Sequence, residues 1–273
     1  MKRLIHGPFP WACFAVALVL ATGPTWANRK RGDAAAPPVS KEEESKEKQK
    51  AVDPRDQRPE PKDNAMAYPI YKPPMRGAPA GRVGGGSRGV HGDSPRLCVL
   101  APDHVGLTVR EQPSFYWHLS SLTNHPIEFT LIEHSAINPL LEKRIPCPAR
   151  PGIQKTSLAA LGGDVRLKEG YRYKWYVAII LDPDHRSKDI ISGAQIELVV
   201  PDASLRRKLE EADEARFPHI YAEEGIWYDA VDAVSALIER HPAQSVWRSM
   251  RASLLEQVGL KGIAGRDANE GGQ

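Results

Sequence analysis

YRYKWYVAII, residues 171–180, is the clearest indication of the fold class in this sequence. An extended strand places alternate side chains on opposite faces of a sheet. One face of this stretch is apolar throughout, because its alternate residues are Tyr171, Tyr173, Trp175, Val177 and Ile179. Arg172 and Lys174 fall on the other face, so the stretch has the pattern of a half-buried β-strand.

Similar runs of β-branched and aromatic residues lie on both sides of this strand, separated by Pro, Gly, Asn and Asp. They are LCVLAP (97–102), SFYWHL (114–119), IEFTLIE (127–133), GIQKTSL (152–158) and ISGAQIELVV (191–200). No amphipathic stretch of helical length interrupts them, which argues against parallel βαβ units. About six to eight short strands predict an antiparallel β-sandwich domain over residues 96–201, of the immunoglobulin or fibronectin kind.

The periodicity becomes helical in GIWYDAVDAVSALIERHP, residues 225–242. Its apolar residues recur at i, i+3, i+4 and i+7, and they are Trp227, Ala230, Val231, Val234, Leu237 and Ile238. Asp229 and Asp232 are assigned to the outer face, Pro242 ends the helix, and a second apolar stripe runs from Trp247 to Val258.

These stripes predict a C-terminal α-helical hairpin, with helices over 227–240 and 245–258 inside a helical region at 202–264. The fold class is therefore α+β, with the sandwich first and the hairpin after it. Three residues of the first helix are expected to face inward: Trp227, Val234 and Leu237. We expect them to contact Trp247 and Leu254 of the second helix and the segment 203–221. Residues 265–273 are expected to be a disordered tail, and the sandwich is expected to stay folded when residues 222–273 are deleted.

The hairpin resembles a single tetratricopeptide unit. Gly225, Trp227, Ala230 and Pro242 stand at the spacing of the second helix of that motif, and Gly225 lies 34 residues before Gly259. Pro218 is expected to interrupt the helix that should precede. Arrays of this kind need three or more repeats, so the hairpin must pack against the sandwich or another chain.

The N-terminus has the three parts of a secretory signal peptide over residues 1–27. Lys2 and Arg3 give a positive start, the run WACFAVALVLATG is too short to span a membrane, and Thr25 and Ala27 are small residues before the cleavage point. We therefore expect an exported protein, periplasmic or extracellular, that begins near Asn28 and has no membrane span after the signal is removed.

Two low-complexity segments separate this signal from the strands. Residues 28–75 are charged and proline-rich, which predicts a disordered linker. Residues 76–95 are rich in Gly and Arg, but they lack the Gly-Lys-Ser/Thr sequence of a phosphate-binding loop. We expect a flexible or collar segment there.

Charge and cysteine content limit the function classes. Residues 1–27 hold two of the 37 basic residues and no acidic ones, so 35 basic residues face 34 acidic ones in the exported chain. This balance argues against nucleic-acid binding, which draws on many basic contacts. Cys98 and Cys147 remain after export and form a candidate disulfide, with two unpaired thiols as the alternative.

The sequence LDPDHRSKDI, residues 181–190, is the main polar cluster, and its candidate residues are Asp182, Asp184, Arg186, Ser187 and Asp189. It lacks the glycine and final glutamate of a helix–loop–helix calcium site, although a looser calcium site on the three aspartates stays open. The chain has no His-Glu-x-x-His sequence. We expect no catalytic residue, metal site or cofactor, and a turn in which Arg186 pairs with one of the aspartates.

Six motifs in order give the chain a family resemblance: RGAPAGRVGGGSRG, LCVLAPDHVGLTV, PSFYWHL, DPDHRSKDI, YAEEGIWYDA and VGLKGIA. Residues 76–264 resemble the bacterial domain of unknown function 928 family. The resemblance implies an exported protein of shared architecture and indicates no activity. It also implies a cysteine just before the Asp-Pro, where this chain has Leu181. If other family members pair that cysteine with the one at the position of Cys98, the same bridge cannot form in this chain, because Leu181 has no thiol.

Two hypotheses for function follow. The first is a non-catalytic interaction module of the cell envelope that binds another envelope or exported protein, with partner-binding candidates Trp227, Tyr228, Asp229 and Trp247. The second is an envelope hydrolase or carbohydrate-binding domain that uses residues 182–189 with Trp117 or Trp175. A pocket lined by those side chains would favour the second hypothesis, and a closed, salt-bridged turn the first.

Overall fold

Eight strands form two sheets in the computed structural model, which describes residues 67–74, 81–84 and 94–269. The strands are β1 (Leu97–Val99), β2 (Gly106–Thr108), β3 (Ser114–Leu119), β4 (Ile127–Glu133), β5 (Leu141–Ile145), β6 (Gly152–Ser157), β7 (Arg172–Ile179) and β8 (Ile190–Leu198). The predicted signal peptide, most of the predicted linker and much of the Gly/Arg-rich segment lie outside the described residues.

The larger sheet has five strands in the order β2-β8-β7-β4-β5. β7, which carries the alternating stretch, lies at its centre and buries Tyr173, Trp175, Val177 and Ile179. One pairing departs from the antiparallel expectation, because β2 runs parallel to β8. No hairpin joins these two distant strands, so turn geometry does not fix their relative direction.

The smaller sheet has three antiparallel strands in the order β1-β3-β6. Its central strand β3 is buried on both faces, unlike a half-exposed strand. On one face, the Phe115 ring lies 5.1 Å from that of Phe129 and 4.7 Å from that of Trp175, between ring centroids. Side chains of the two sheets therefore meet in one core.

The helices are α1 (Leu158–Gly162), α2 (Ala203–Glu211), α3 (Phe217–Glu223), α4 (Trp227–Arg240), α5 (Ser245–Gln257) and α6 (Lys261–Asn269). The predicted hairpin helices are α4 and α5, and they belong to a larger set of helices after residue 202. Pro218 stands in the first turn of α3, so it begins that helix and does not interrupt one.

The expected disordered tail is wrong for residues 265–269, which continue α6. Asp267 is 2 % exposed and accepts hydrogen bonds from Arg251 of α5 at 2.8 and 2.6 Å. The sequence pattern missed this helix because its glycines, Gly262 and Gly265, weaken the helical signal.

The helices and the sheets share one compact unit, Asp63–Gln273, so the expected division at residue 202 does not separate two cores. α4 packs against β2 and β3. The Trp227 indole donates to the carbonyl of Leu100 at 2.9 Å, which directs it toward the sheets and not only toward the other helices as expected. Tyr228 reaches further, because its hydroxyl donates to the carbonyl of Gln195 in β8 at 2.9 Å.

The end of the predicted linker is bound to this core. We name residues 67–74 the strap. Tyr71 is 8 % exposed, its ring lies 5.0 Å from that of Trp227, and its amide donates to Gln257 Oε1 at 2.8 Å. The amide of Lys72 donates to the carbonyl of Ala222 at 3.0 Å. The linker prediction is wrong for these residues because one aromatic side chain and two backbone bonds hold them.

Cys98 and Cys147 are both free, so the candidate disulfide is not formed. Cys98 lies in β1 of the smaller sheet, whereas Cys147 follows β5 in the larger sheet and its thiol contacts the carbonyl of His125. Among the described helices, none combines the length and the apolarity needed to cross a membrane.

Candidate functional site

The polar turn at 181–190 is closed by internal ion pairs. Arg186 donates to Asp189 at 2.6 Å and to Glu128 of β4 at 2.7 Å. Asp189 is one of the three partners that we expected, and Glu128 was not foreseen. The hydrogen bonds from these two carboxylates, Asp189 first, raise the pKa of Arg186.

Asp182 organises the rest of the turn. It accepts hydrogen bonds from Lys188 at 2.8 Å, from His185 at 2.7 Å and from the amide of Asp184 at 3.0 Å. The bonds from Lys188 and His185 lower the pKa of Asp182. Within the described ranges, no group of three metal-ligating side chains is assembled. The Ser187 and Asp184 side chains are exposed and belong to neither group of ion pairs.

The aromatic residues proposed for binding are buried. Trp117 and Trp175 are 2 % and 0 % exposed, and their indoles donate to Thr156 and Tyr228 inside the core. The partner-binding candidates are buried as well: Trp227, Tyr228, Asp229 and Trp247. Buried side chains are not presented to a partner, and α4, which carries three of the four, packs against β2 and β3.

A cleft of about 820 Å³ lies between the edge strand β6 and the helices α4 and α5. We name it the cationic cleft. Its charged lining residues are four cationic ones and one acidic one: Arg150, Lys155, Arg248, Arg251 and Glu239. Tyr116 and the segment 149–151 complete its wall on the sheet side.

Two aspartates one helical turn apart on α4 support the cleft from behind. Asp232 accepts from the Tyr116 hydroxyl at 2.8 Å and forms ion pairs with Arg110 at 2.8 Å and Lys155 at 3.1 Å. Burial by itself raises the pKa of Asp232, but the bond from Tyr116 and the nearby cations outweigh it, so the pKa is lowered.

Asp229 is the more deeply buried of the two, at 1 % exposure. It accepts from the Thr108 hydroxyl at 2.8 Å and from the amide of Val109 at 3.1 Å, and Arg110 lies 3.1 Å away. Burial raises the pKa of Asp229 to about 6 against the opposing effect of these donors. Both aspartates are therefore inside the molecule, and the sequence pattern that placed them on the outer face is wrong.

The three arginines that line the cleft differ in how strongly they are held. Arg251 is occupied, because it donates to both oxygens of Asp267 and to the hydroxyl of Ser235. Arg248 comes only within 3.8 Å of Asp267, and its buried Nε has no partner among the described residues. Arg150 is exposed and forms no ion pair with any residue that the structure describes. Arg150 and Arg248 are thus the donors available to a ligand.

Carboxylates engaged in this way position the groups that they bind. Asp232 fixes Tyr116 and Lys155 on the wall of the cationic cleft, and Asp267 fixes Arg251. The arrangement suits the binding of an anion, since guanidinium groups pair with carboxylates and phosphates through several donors.

Residues 83–267 match the family model described as Domain of Unknown Function (DUF928), which covers more than half of the chain. The chain belongs to the DUF928 family. This confirms the resemblance drawn from the six motifs. The match of this DUF928 protein includes every strand and the residues of the cationic cleft. Among curated proteins, no sequence matches the chain.

Sequence reasoning missed the residues that form the cleft. Lys155 of β6 and Arg248 of α5 come from distant segments, and no local motif links them. The one available signal was the pair Asp229 and Asp232 beside the most apolar helix stripe, where two carboxylates require cationic partners if they are buried.

Proposed function

We propose that this DUF928 protein is an exported, non-catalytic binding module of the cell envelope, and that the cationic cleft is its ligand-binding surface. The observation that carries the proposal is a wide cleft with two cationic side chains, Arg150 and Arg248, whose donors are not consumed internally. Its expected partner is an acidic segment of another envelope or exported protein.

The rest of the architecture supports such a module. We infer an immunoglobulin-like sandwich from the two sheets, because Phe115 of β3 packs against Phe129 and Trp175 of the other sheet. The hairpin of α4 and α5 would serve as a tetratricopeptide-like wall of the cleft. The closed turn at 182–189 favours this reading over a hydrolase or carbohydrate site there, because its charged side chains bind one another.

Capture of exported proteins by an immobilised full-length chain tests the proposal. Arg150→Glu reverses a charge at the cleft without removing an internal ion pair, and Arg248→Gln is a milder second variant. Arg206→Glu is the matched control, because Arg206 is exposed on α2 and does not line the cleft.

We expect an acidic protein to be retained by the wild type and by the Arg206→Glu control, and to be lost from the two cleft variants. Added salt should weaken the retention, because exposed charges are screened. If the cleft variants retain the same proteins as the wild type, the cationic cleft is not the binding surface and the proposal is wrong.

A further inference from the structure

Strand β6 is an open edge of the smaller sheet. Within the described part of the chain it pairs with β3 alone, while β3 pairs with β1 on its other side. An edge strand offers a row of unpaired backbone donors and acceptors to an extended segment of another chain.

The hydrogen-bond pattern identifies which backbone groups face outward. The amide of Leu158 donates to the carbonyl of Pro113 at 3.1 Å, at the end of the β3–β6 ladder. Bonded pairs alternate along an antiparallel ladder, so Thr156 and Gln154 also direct their backbone groups to β3. Ile153, Lys155 and Ser157 therefore direct theirs to the open edge.

This assignment agrees with the other side of β3. The amide of Leu100 donates to the carbonyl of Tyr116 at 2.8 Å, so the backbone of Tyr116 faces β1. Tyr116 is opposite Lys155 in the register, and the two therefore form a pair without mutual backbone bonds. Both observations therefore indicate that the backbone N–H and C=O of Lys155 point to the open edge.

The two faces of this open edge differ in chemistry. One face is the cationic cleft, with Lys155 and Arg150 on its sheet side. The other face is a groove of about 300 Å³ whose lining includes Ile145, Pro146, Ala160 and Leu161. Gln154 and Lys155 line both, so the edge runs between a cationic and a largely apolar surface.

We infer that β6 accepts an extended segment of the partner protein as an additional strand, with acidic and apolar side chains in alternation. Side chains opposite Lys155 would enter the cationic cleft, and their neighbours would enter the apolar groove, because successive residues point to opposite faces. Main-chain bonds give affinity in this mode, and the alternate surfaces give selectivity. The inference rests on the proposed function and specifies the form of its ligand.

The experiment measures binding of a peptide of alternating glutamate and valine to the full-length chain by calorimetry. A peptide of the same composition in glutamate and valine blocks, and one of alternating lysine and valine, are the comparisons. We expect the alternating acidic peptide to bind at least about tenfold more tightly than either, since one charge-assisted bond contributes that much.

Single N-methylation tests the backbone bonds directly. Successive amides of an added strand point alternately to β6 and to solvent. A methyl group on a central amide that points to β6 should abolish binding, and a methyl group on the next amide along the peptide should be tolerated. Loss at a glutamate amide indicates antiparallel addition, and loss at a valine amide indicates parallel addition.

Three results would overturn strand addition. The first is equal binding of the alternating and block peptides with no effect of methylation, which leaves anion binding by the proposed function intact. The second is that no acidic peptide binds. If, in addition, the Arg150→Glu variant captures the same proteins as the wild type, the proposed function is wrong too. The third is a dimer of the full-length chain, seen by sedimentation and dispersed by the alternating peptide, which would assign the edge to a second copy.

Discussion

At the scale of single residues, Arg186 connects two carboxylates from distant parts of the chain. Asp189 has a side chain that is 1 % exposed, and among the described residues Arg186 is the cation that pairs with it. We expect Arg186→Ala to lower the free energy of unfolding by about 2–3 kcal/mol, because it removes charged hydrogen bonds to buried groups. Urea unfolding measures the loss.

Lys188→Ala is the matched control in the same turn, since it removes an exposed pair with Asp182. Little change in melting temperature is expected for the control. Equal melting temperatures for Arg186→Ala and the wild type would show that the Arg186 pairs do not stabilise the fold.

Asp229 should make stability fall as pH rises. Its pKa of about 6 exceeds the value of about 3.9 for an unfolded aspartate, so the folded chain binds this proton more tightly. The stabilisation is complete below about pH 4 and is lost as pH rises through about 6. Asparagine can still accept from Thr108 and Val109 and carries no charge. As pH rises between those values, the free energy of unfolding of Asp229→Asn should therefore increase relative to that of the wild type, by on the order of 3 kcal/mol.

Urea unfolding at several pH values measures this difference. Asp232→Asn is the contrasting variant, because the pKa of Asp232 is lowered. Its carboxylate stabilises the fold above the unfolded pKa and loses that effect as pH falls through the folded one, so the difference between this variant and the wild type should shrink in acid. A pH-independent difference for Asp229→Asn would contradict the assignment.

At the scale of elements, the strap passes close over the turn between α3 and α4. Gly225 has a φ of 73°, and a Cβ there would lie 2.7 Å from the carbonyl oxygen of Lys72. Gly170 has a φ of 78° but open space around its Cβ position, so it is a matched control. Both alanine variants lose about 1–2 kcal/mol from the left-handed conformation. Gly225→Ala should lose more free energy of unfolding than Gly170→Ala, because its Cβ would also collide with the carbonyl oxygen of Lys72, and it should release the strap.

Hydrogen exchange at the Lys72 amide measures release of the strap, since that amide is bonded to Ala222 in the native chain. Exchange should be faster in Gly225→Ala and unchanged in Gly170→Ala. Protection that is equal in both variants would mean that the strap does not depend on the bare backbone at Gly225.

At the scale of the whole molecule, the sheets and helices should unfold together. The Tyr228 hydroxyl accepts from the Trp175 indole at 2.8 Å, and Asp229 binds the end of β2, so α4 completes the core of both sheets. We expect a chain without residues 203–273 to show no cooperative thermal transition by circular dichroism. A chain that begins at Asp63 is the control and should melt as the full chain does. A cooperative transition in the first truncation would restore the expectation of an independent sandwich.

Export remains a prediction at this scale, since residues 1–27 lie outside the described residues. The three-part N-terminus predicts that the mature chain begins at or near Asn28. Mass spectrometry of the native protein measures its N-terminus directly, and a chain that retains residues 1–20 would contradict the prediction.

The types of the main elements, the ends of α4 and the family could be predicted from local sequence patterns. β7 and α4 follow from periodicities of 2 and 3.6 residues, which depend only on local backbone geometry. The ion pairing of Arg186 was also foreseeable in part, because Asp189 lies three residues away.

Which surfaces are covered depends on tertiary contacts that no local pattern contains. Asp229 and Asp232 are buried because Arg110 and Lys155 arrive from the sheets, and Glu128 reaches Arg186 from 58 residues away. The strap, the burial of both faces of β3 and the cationic cleft arise in the same way. Periodicity describes one segment at a time, whereas burial, charge pairing and clefts are properties of segments that meet only after the chain has folded.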